Sequence, residues 1–390
     1  MKVLHVAESI KGGVGTYLNQ IVPLQVRDLG PEAVRVLVPE QHAVQIPAIP
    51  SGIVRTFDRP ARSPGSLFGL ARAVRRAVRE FRPDVIHAQS TFAGAVVRTL
   101  MALQPRRPRI VYCPHGWVFD VGSSAGKQKV AALAERAMAP LCDTIVAISD
   151  YEARQALRFG IPGHLLRVVS NGISAEVAGQ APFPWHDARL KILFVGRLDR
   201  QKGFDILLEA IEGLDDDVAV RVVGEAIQRG AGRAVTPPNV EMLGWRSEAE
   251  IDALMRASDL VVMPSRWEGF GLVAAEAMRA GVPVLAAAVG GLPEIVVDGV
   301  TGALFPREDA GRLRELLLDS TPAARARQGA AGRERFLRSF TCERTHDGLM
   351  AIYRDLVDQR SELVLRAGEV EPVEPAPIRS SSRPEHRPVA

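Results

Sequence analysis

A short unit decides the fold: Lys191-Ile-Leu-Phe-Val-Gly-Arg-Leu-Asp-Arg-Gln-Lys-Gly-Phe-Asp205. After the lysine, four apolar residues predict a buried strand. A loop that holds glycine and charged residues follows the strand, and a helical pattern begins after the loop. Units of the same outline recur along both halves of the chain. Such alternation of strands and helices predicts parallel sheets that are covered by helices on both faces.

The predicted strands fall into two sets, separated by Ala181-Pro-Phe-Pro-Trp-His186. The first set is Val3–Ala7, Val34–Val38, Val85–Ala88, Ile110–Cys113, Thr144–Ile148 and Leu166–Val169. The second set is Lys191–Val195, Val218–Val223, Val240–Leu243, Leu260–Met263 and Val284–Ala287. We therefore predict an α/β protein of two doubly wound, Rossmann-like domains, residues 1–182 and 187–341. Open parallel sheets bind ligands beyond the carboxyl ends of their strands, so two such domains would share one cleft between them.

Composition and length narrow the class of protein. The chain has 390 residues, of which 47% are hydrophobic and 24% charged, as is ordinary for a soluble globular protein of two domains. It has no apolar run long enough to span a bilayer and no signal-peptide pattern. Its three scattered cysteines argue against a disulfide framework and a zinc site. The net charge is a modest +4. We therefore expect a cytoplasmic protein with no nucleic-acid partner.

The segment from residue 367 to 390 differs from the rest of the chain. It is rich in proline, glutamate, serine and arginine, and it lacks apolar clusters. Because such a composition cannot bury enough apolar surface to become ordered, we predict a disordered tail.

Two carboxylates stand out in Arg266-Trp-Glu-Gly-Phe-Gly-Leu-Val-Ala-Ala-Glu-Ala-Met278. Glu268 lies in a glycine-punctuated loop, whereas Glu276 lies in a helical pattern that is otherwise apolar. A carboxylate on a buried helix is costly unless it has a partner. Two adjacent hydroxyl groups, as on a ribose, can both donate to one carboxylate. The alternative is an ordinary pair with Arg279 one turn away, and the residues alone leave both interpretations open.

Two glycine-containing loops follow predicted strands. Glu8-Ser-Ile-Lys-Gly-Gly-Val-Gly-Thr16 would let backbone N–H groups approach an anion at a helix N-terminus. A dinucleotide fingerprint based on Gly13 and Gly15 would need a third glycine where Leu18 stands, so a dehydrogenase is not favoured; a tight turn without a ligand is the other possibility. In the second loop, Arg197 and Lys202 can both face one anion, such as a diphosphate.

Two histidines end or follow strands. His115, in Cys113-Pro-His-Gly-Trp-Val-Phe-Asp120, follows a strand in a turn and should face the cleft. His87 ends another strand, and we interpret it as structural. The segment Ser63–Arg82 is predicted to be a basic amphipathic helix with Pro64 at its first position. Its arginine face is either simply solvated or a contact with an anionic membrane; it comprises Arg72, Arg75, Arg76 and Arg79.

Taken together, these motifs resemble the retaining nucleotide-sugar glycosyltransferases of family 4, which have the GT-B fold. The resemblance runs from about residue 1 to 355. It rests on the loop at Gly12-Gly13, the turn at His115-Gly116, Asn171-Gly172-Ile173, the pair Arg197 and Lys202, Glu268 with Glu276, Gly290-Gly291-Leu-Pro-Glu294, and Asp298–Phe305. In this fold the last helix commonly crosses back to the first domain, and here that helix is residues 342–362.

The resemblance implies a role for each site residue. Glu276 would bind the ribose, and Glu268 the donor sugar. Arg197 and Lys202 would hold the diphosphate, helped by the backbone amides of Phe270, Gly271 and Leu272. Gly13 would let the first-domain loop close on the phosphate, and His115 would contact the sugar near the reacting carbon. One position departs from the family, which often has a second histidine where this chain has Gln89.

The predicted activity is sugar transfer from a UDP- or GDP-sugar to a lipid-linked or growing glycan acceptor, in cell-surface polysaccharide synthesis. No acidic pair typical of a metal site accompanies the cations, so we expect no metal and no cofactor. Retention implies front-face attack, and we assign no enzymic nucleophile. A sugar-nucleotide epimerase and a non-catalytic nucleotide-sugar-binding protein are the alternatives. Base recognition is expected near Gly244-Trp245-Arg246.

Overall fold

Residues 1–10, 12–59, 64–102, 104, 106–120, 125–176, 183–225 and 236–366 are described by the computed structural model of the chain. They form two parallel sheets with helices packed on them. The prediction of an α/β protein with two Rossmann-like domains is therefore confirmed. Ser63 and the predicted tail, residues 367–390, lie outside the described residues.

The first sheet has seven parallel strands in the order β3-β2-β1-β4-β5-β6-β7. These strands are β1 (Val3–Ala7), β2 (Val34–Pro39), β3 (Val54–Phe57), β4 (Val85–Gln89), β5 (Arg109–Cys113), β6 (Thr144–Ala147) and β7 (Leu166–Val168). The six predicted strands are all present, with ends that differ by no more than one residue. β3 was missed because it is a four-residue edge strand whose middle residues, Arg55 and Thr56, are exposed.

The second sheet has six parallel strands in the order β10-β9-β8-β11-β12-β13. These strands are β8 (Leu190–Val195), β9 (Val218–Val223), β10 (Val240–Gly244), β11 (Leu260–Met263), β12 (Val284–Ala287) and β13 (Gly302–Phe305). The five predicted strands are again present. β13 was missed because Gly302 opens it directly after a turn, which leaves only three apolar residues as a signal.

Helices cover both sheets. In chain order they are α1 (Gly13–Leu29), α2 (Pro64–Phe81), α3 (Thr91–Met101), α4 (Ala125–Met138), α5 (Asp150–Arg158), α6 (Phe204–Ala210), α7 (Glu248–Ala257), α8 (Leu272–Arg279), α9 (Leu292–Ile295), α10 (Ala310–Leu318), α11 (Pro322–Ser339) and α12 (Cys342–Arg366). Because helices lie on both faces, the central strands β1, β4 and β11 are buried along their whole length. This burial is why the strands read as continuous apolar runs.

The last helix, α12, packs against the first sheet's side of the molecule and contacts α1. Tyr353 Oη lies 2.6 Å from His87 Nδ1, and His346 Nε2 lies 2.8 Å from an Asp28 carboxylate oxygen. Arg109 Nε also donates to the carbonyl of Leu356. His87 itself is fully buried, which fits its interpretation as a structural residue.

Candidate functional site

Loops from both sheets meet at the carboxyl ends of the strands. A Cβ placed on Gly13, after β1, would lie 3.8 Å from Leu272 Cδ1 of the second sheet's side. A Cβ on Gly269, after β11, would lie 3.6 Å from Gly116 Cα. The loop at Gly13 therefore lies next to the start of α8, and the turn at His115-Gly116 lies next to the loop that carries Glu268. The predicted site residues are distributed over both sides of this junction. The first side is the first sheet with its loops and helices, and the second side is the second sheet with its loops and helices.

Lys202 and Glu268 form the charged centre of the second side. Lys202 Nζ lies 2.5 Å from Glu268 Oε1, which also accepts a hydrogen bond from Ser265 Oγ at 2.9 Å. Glu268 is only 7% exposed, and these two donors offset the cost of burying its carboxylate. Its other oxygen, Oε2, has no partner among the described residues. One oxygen thus holds the lysine and the other is available to a ligand.

The backbone behind Glu268 is packed against Gly290. Gly290 has a φ of +58°, and a Cβ on it would lie 1.7 Å from the carbonyl oxygen of Glu268. The next residue, Gly291, donates its N–H to the same oxygen at 3.3 Å. Only glycine permits this approach, so the position of Glu268 depends on a residue 22 positions away in the sequence.

Glu276 is partly buried on α8, and its carboxylate has no hydrogen bond or ion pair with any described residue. Burial raises its pKa to about 7, while the nearby Arg279 and Lys202 oppose that rise. The alternative of an Arg279 pair is wrong. Arg279 is buried and directs its guanidinium group to Asp252 at 3.4 Å and Glu248 at 3.5 Å. The Glu276 carboxylate is therefore a hydrogen-bond acceptor to which no described protein group donates.

Arg197 pairs with neither Glu268 nor Glu276. It is exposed, with Nε 2.9 Å from Asp199 and a terminal nitrogen 2.7 Å from the Gln201 side-chain oxygen. Lys202, by contrast, passes its alkyl stem over Gly196, where a Cβ would lie 3.2 Å from Lys202 Cγ. Of the two predicted cations, Lys202 faces Glu268 and Arg197 stays within its own loop.

Two helices begin at the junction. α1 begins at Gly13 and α8 begins at Leu272, directly after Gly271 with its φ of +115°. Neither helix has an acidic residue in its first turn. Phe270 is buried against Phe340, which anchors the loop. First-turn N–H groups have no partner within their helix and carry partial positive charge, so both helix ends favour an anion.

His115 lies in the turn after β5, in an unusual backbone conformation with a φ of +52°. Its Nε2 lies 2.5 Å from Gln89 Oε1, and its ring packs edge-on against Tyr17 at 4.8 Å between centroids. Burial lowers the pKa of His115 to about 3, so the ring is neutral at pH 7.

Sequence reasoning missed a contact between the two sides. Glu294, on α9, accepts hydrogen bonds from the N–H groups of Asp150 at 2.8 Å and Tyr151 at 2.5 Å, and it pairs with Arg154 at 2.9 Å. A carboxylate from the second side therefore caps α5 of the first. Ser149, which caps the same helix, donates to the carbonyl of Gly269 at 2.9 Å.

A buried acid next to this contact was also missed. Glu152 Oε2 accepts the N–H of Ile148, and burial raises its pKa to about 7. A Cβ on Gly269 would lie 3.0 Å from Glu152 Oε1. The spacing of Ser149 and Glu152 matches a capping pattern, which is the signal that could have indicated them.

The basic helix α2 begins at Pro64, as predicted, and its four arginines are exposed. Arg76 pairs with Glu80, and Phe68 on the same helix is 72% exposed. In the part of the chain that the structure describes, no helix is long and apolar enough to cross a membrane. Among those same residues, no group of three or more His, Cys, Asp or Glu side chains could hold a metal ion.

Two Rossmann-like sheets with charged and polar groups meeting between them define a protein of the GT-B architecture. Comparison with known families agrees. Residues 11–177 match Glycosyltransferase Family 4, and residues 180–335 match Glycosyl transferases group 1. The chain belongs to these glycosyltransferases, and it is an enzyme of the hexosyltransferase type.

Relatives and solved structures are consistent with this assignment. A Klebsiella pneumoniae protein, described as an uncharacterised 41.2 kDa protein in the cps region, is 34% identical over 330 residues, or 81% of this chain and 89% of the relative. The D-inositol 3-phosphate glycosyltransferase of Mycobacterium tuberculosis is 34% identical over 58% of this chain, which spans only 52% of that relative.

Two solved structures share the fold. Anabaena HepE, crystallised with UDP and glucose, has a TM-score of 0.75 at 22% identity and covers 91% of this chain and 100% of its own. The sucrose-phosphate synthase of Thermosynechococcus elongatus has a TM-score of 0.73 at 22% identity, with 92% and 100% covered.

Proposed function

We propose that this protein is a retaining glycosyltransferase that moves a sugar from a nucleoside-diphosphate sugar to a lipid-linked or growing glycan in cell-surface polysaccharide synthesis. The observation that carries the proposal is Glu276, a carboxylate without a protein partner on the helix that directly follows the loop of Glu268, which itself binds Lys202. A diol acceptor beside a cation suits one ligand, a nucleotide sugar. HepE, which shares the fold, was crystallised with UDP and glucose, and this favours a UDP-sugar over a GDP-sugar.

The donor is bound mainly by residues 187–341. Glu276 accepts the two ribose hydroxyls, since an ionised carboxylate only accepts hydrogen bonds. Lys202 and Arg197 contact the diphosphate, together with the amides of Phe270, Gly271 and Leu272 at the start of α8. Arg197 must leave Asp199 to do so, and the diphosphate's larger charge provides the attraction. Gly13 brings the N-terminus of α1 to the same phosphate.

The sugar lies against Glu268 and His115. Oε2 of Glu268, which no described residue occupies, accepts a sugar hydroxyl, while Oε1 keeps Lys202 in position. His115 approaches from residues 1–182, the side that also receives the acceptor. The contact between Gly116 and Gly269 supports this placement, because it brings the His115 turn onto the Glu268 loop.

Cleavage of the sugar–phosphate bond develops negative charge on the leaving diphosphate and positive charge on the sugar. Lys202, Arg197 and two helix N-termini stabilise the first charge in a site that closure shields from water. We assign this task to the protein's own cations and propose that no metal is required. Retention follows from front-face attack by the acceptor hydroxyl, and no enzymic nucleophile is assigned. Domain closure gates turnover.

The acceptor is inferred from a relative of this chain, and the cellular location from helix α2 in its first half. The relative from Klebsiella pneumoniae is described as a protein of the cps region, which supports a polysaccharide acceptor. The exposed arginines of α2, with Phe68 beside them, suit a peripheral contact with the anionic inner face of the cytoplasmic membrane. If replacing all four arginines leaves liposome binding unchanged, the membrane contact is wrong.

A thermal-shift panel of UDP, GDP, ADP and their sugars tests the donor, because a ligand that binds the native state raises its melting temperature. The protein is then incubated with the labelled sugar nucleotide, with and without a lipid-linked acceptor. Transfer that needs the acceptor supports the proposal. Conversion without an acceptor indicates an epimerase, and binding without conversion indicates a non-catalytic protein. Loss of activity in EDTA would contradict metal independence.

A further inference from the structure

A row of polar side chains runs through the first sheet and ends at His115. Gln25 Oε1 lies 2.6 Å from His5 Nε2, and Gln89 Nε2 lies 3.2 Å from His5 Nδ1. Gln89 Oε1 then lies 2.5 Å from Nε2 of His115. Gln25, His5 and Gln89 are fully buried, on α1, β1 and β4 respectively.

The hydrogen bonds along this row all run in the same direction, from His115 towards Gln25. An amide oxygen only accepts, so the N–H at His5 Nε2 donates a hydrogen bond to the Gln25 oxygen. A neutral imidazole carries one N–H, so His5 Nδ1 is an acceptor and receives the Gln89 amide N–H. The Gln89 oxygen must then accept a hydrogen bond from the N–H at His115 Nε2.

Both histidines are neutral at pH 7, since burial lowers the pKa of His5 to about 4 and that of His115 to about 3. A neutral His115 with its proton on Nε2 has a lone pair on Nδ1. Nδ1 has no hydrogen-bond partner among the described residues, and the side chain is only partly buried.

We propose that Gln89 is a positioning residue that holds His115 in the Nε2–H form, so that Nδ1 accepts a hydrogen bond from a hydroxyl of the donor sugar. The sugar part of this inference rests on the proposed function, whereas the proton position rests on the contacts and on the neutrality of the two buried rings. A lone pair on Nδ1 discriminates between donor sugars. It favours a sugar with a hydroxyl group at this place, and it disfavours a sugar with a deoxy position or a carboxylate there.

The proton position can be measured without activity. In ¹⁵N spectra of histidine-labelled protein at pH 7, with His115→Asn to assign the signals, we expect Nε2 of His115 in the protonated range and Nδ1 in the unprotonated range. Gln89→Leu, which removes both the donor and the acceptor of the side-chain amide, should give a mixture of the two forms. Gln89→Glu still accepts from Nε2 and should keep it protonated.

Wild-type protein with the proton on Nδ1 would overturn the inference, as would an unchanged His115 signal in Gln89→Leu. The wild-type spectrum decides by itself if the leucine variant does not fold. A correct His115 signal in a protein that transfers no sugar would refute the proposed function and leave the proton position standing.

Kinetics then test the link to the sugar. Gln89→Leu should lower kcat/KM for the preferred sugar donor about 2- to 13-fold, the range for loss of one neutral hydrogen bond. Affinity for the nucleoside diphosphate without sugar should not change. With donors that lack one hydroxyl in turn, the variant and the wild type should become equal at the hydroxyl that His115 contacts. If no such donor removes the difference, the hydroxyl contact is wrong.

Discussion

The two sides of the junction use polar residues in opposite ways. On the first side, Gln25, His5, Gln89 and His115 are neutral and bonded to one another. On the second side, Lys202 and Glu268 form an ion pair, and the Glu276 carboxyl group is left without a partner. Pairing within the protein gives the first side a defined shape before any ligand arrives. The second side keeps an unpaired carboxylate that can bind a ligand, but burying that carboxylate without a partner is unfavourable.

Removing the cation of the charged side should have the largest effect. We expect Lys202→Ala to lower kcat about 10²- to 10³-fold, as for loss of one group that stabilises developing charge. The melting temperature should change much less. Lys191→Ala is a matched control, because Lys191 lies at the opposite end of the same strand from the loop that carries Lys202. Equal losses of kcat in the two variants would contradict the assignment.

Glu276→Gln should weaken donor binding about 10- to 150-fold, because a charge-assisted hydrogen bond is worth about 1.5–3 kcal/mol. Titration calorimetry with the nucleotide sugar measures the change. Glu334→Gln, which removes an exposed carboxylate on α11, should bind like the wild type. An unchanged dissociation constant in a folded Glu276→Gln protein would refute the ribose contact.

Gly290→Ala tests how the backbone positions Glu268. A Cβ there meets the Glu268 carbonyl oxygen, whereas a Cβ on Gly299, which also has a positive φ, meets nothing within 4 Å. Both variants carry backbone strain, so the difference between their unfolding free energies measures the crowding at position 290. We expect Gly290→Ala to lose about 1–3 kcal/mol more in the free energy of unfolding, measured with denaturant. Equal losses would show that the loop adapts.

The pH dependence of stability tests the unfilled acid. The pKa of Glu276 is about 7 in the folded protein against 4.5 for the free side chain. Between these values the unfolded chain has released the proton and the folded chain has not. The contribution of Glu276 is therefore fully present below pH 4.5 and is lost as the pH rises through 7.

Each unit of pKa difference corresponds to about 1.4 kcal/mol. Glu276→Gln should thus lose less stability than the wild type from pH 4.5 to 7.5 in the absence of donor. Glu152, whose pKa is raised in the same direction, is present in both proteins and cancels in the comparison. Parallel pH curves would contradict the raised pKa of Glu276.

The contact between the two sides should give the smallest effect. Glu294→Gln keeps the size of the side chain that caps α5 and removes its charge, which is worth about 0.3–1 kcal/mol at a helix N-terminus. We expect KM to rise about 2- to 5-fold and X-ray scattering to report a more open particle. Glu315→Gln, on α10, removes an exposed carboxylate elsewhere and serves as the control. A compact variant with unchanged KM would refute the closing role.

The residues of the charged side could be proposed from the sequence because they fall in two short segments of the chain. Arg197 and Lys202 share one loop, and Glu268 and Glu276 are eight positions apart. The wrong alternative was also local: Arg279 lies one turn from Glu276, but its charge is used by Glu248 and Asp252 on α7. Which of two possible partners a buried charge takes depends on the neighbouring helix, and no local pattern contains that information.

By itself, the sequence determined the strand–helix alternation and the two sheets, because buried parallel strands and glycine loops have local patterns. The tertiary structure alone decided the pairing of Lys202 with Glu268, 66 positions away, and the capping of α5 by Glu294, more than 140 positions away. It also decided that Gln89 meets both His5 and His115. Such contacts depend on the order of strands in a sheet and on how the two sides meet, which are set by packing over the whole chain.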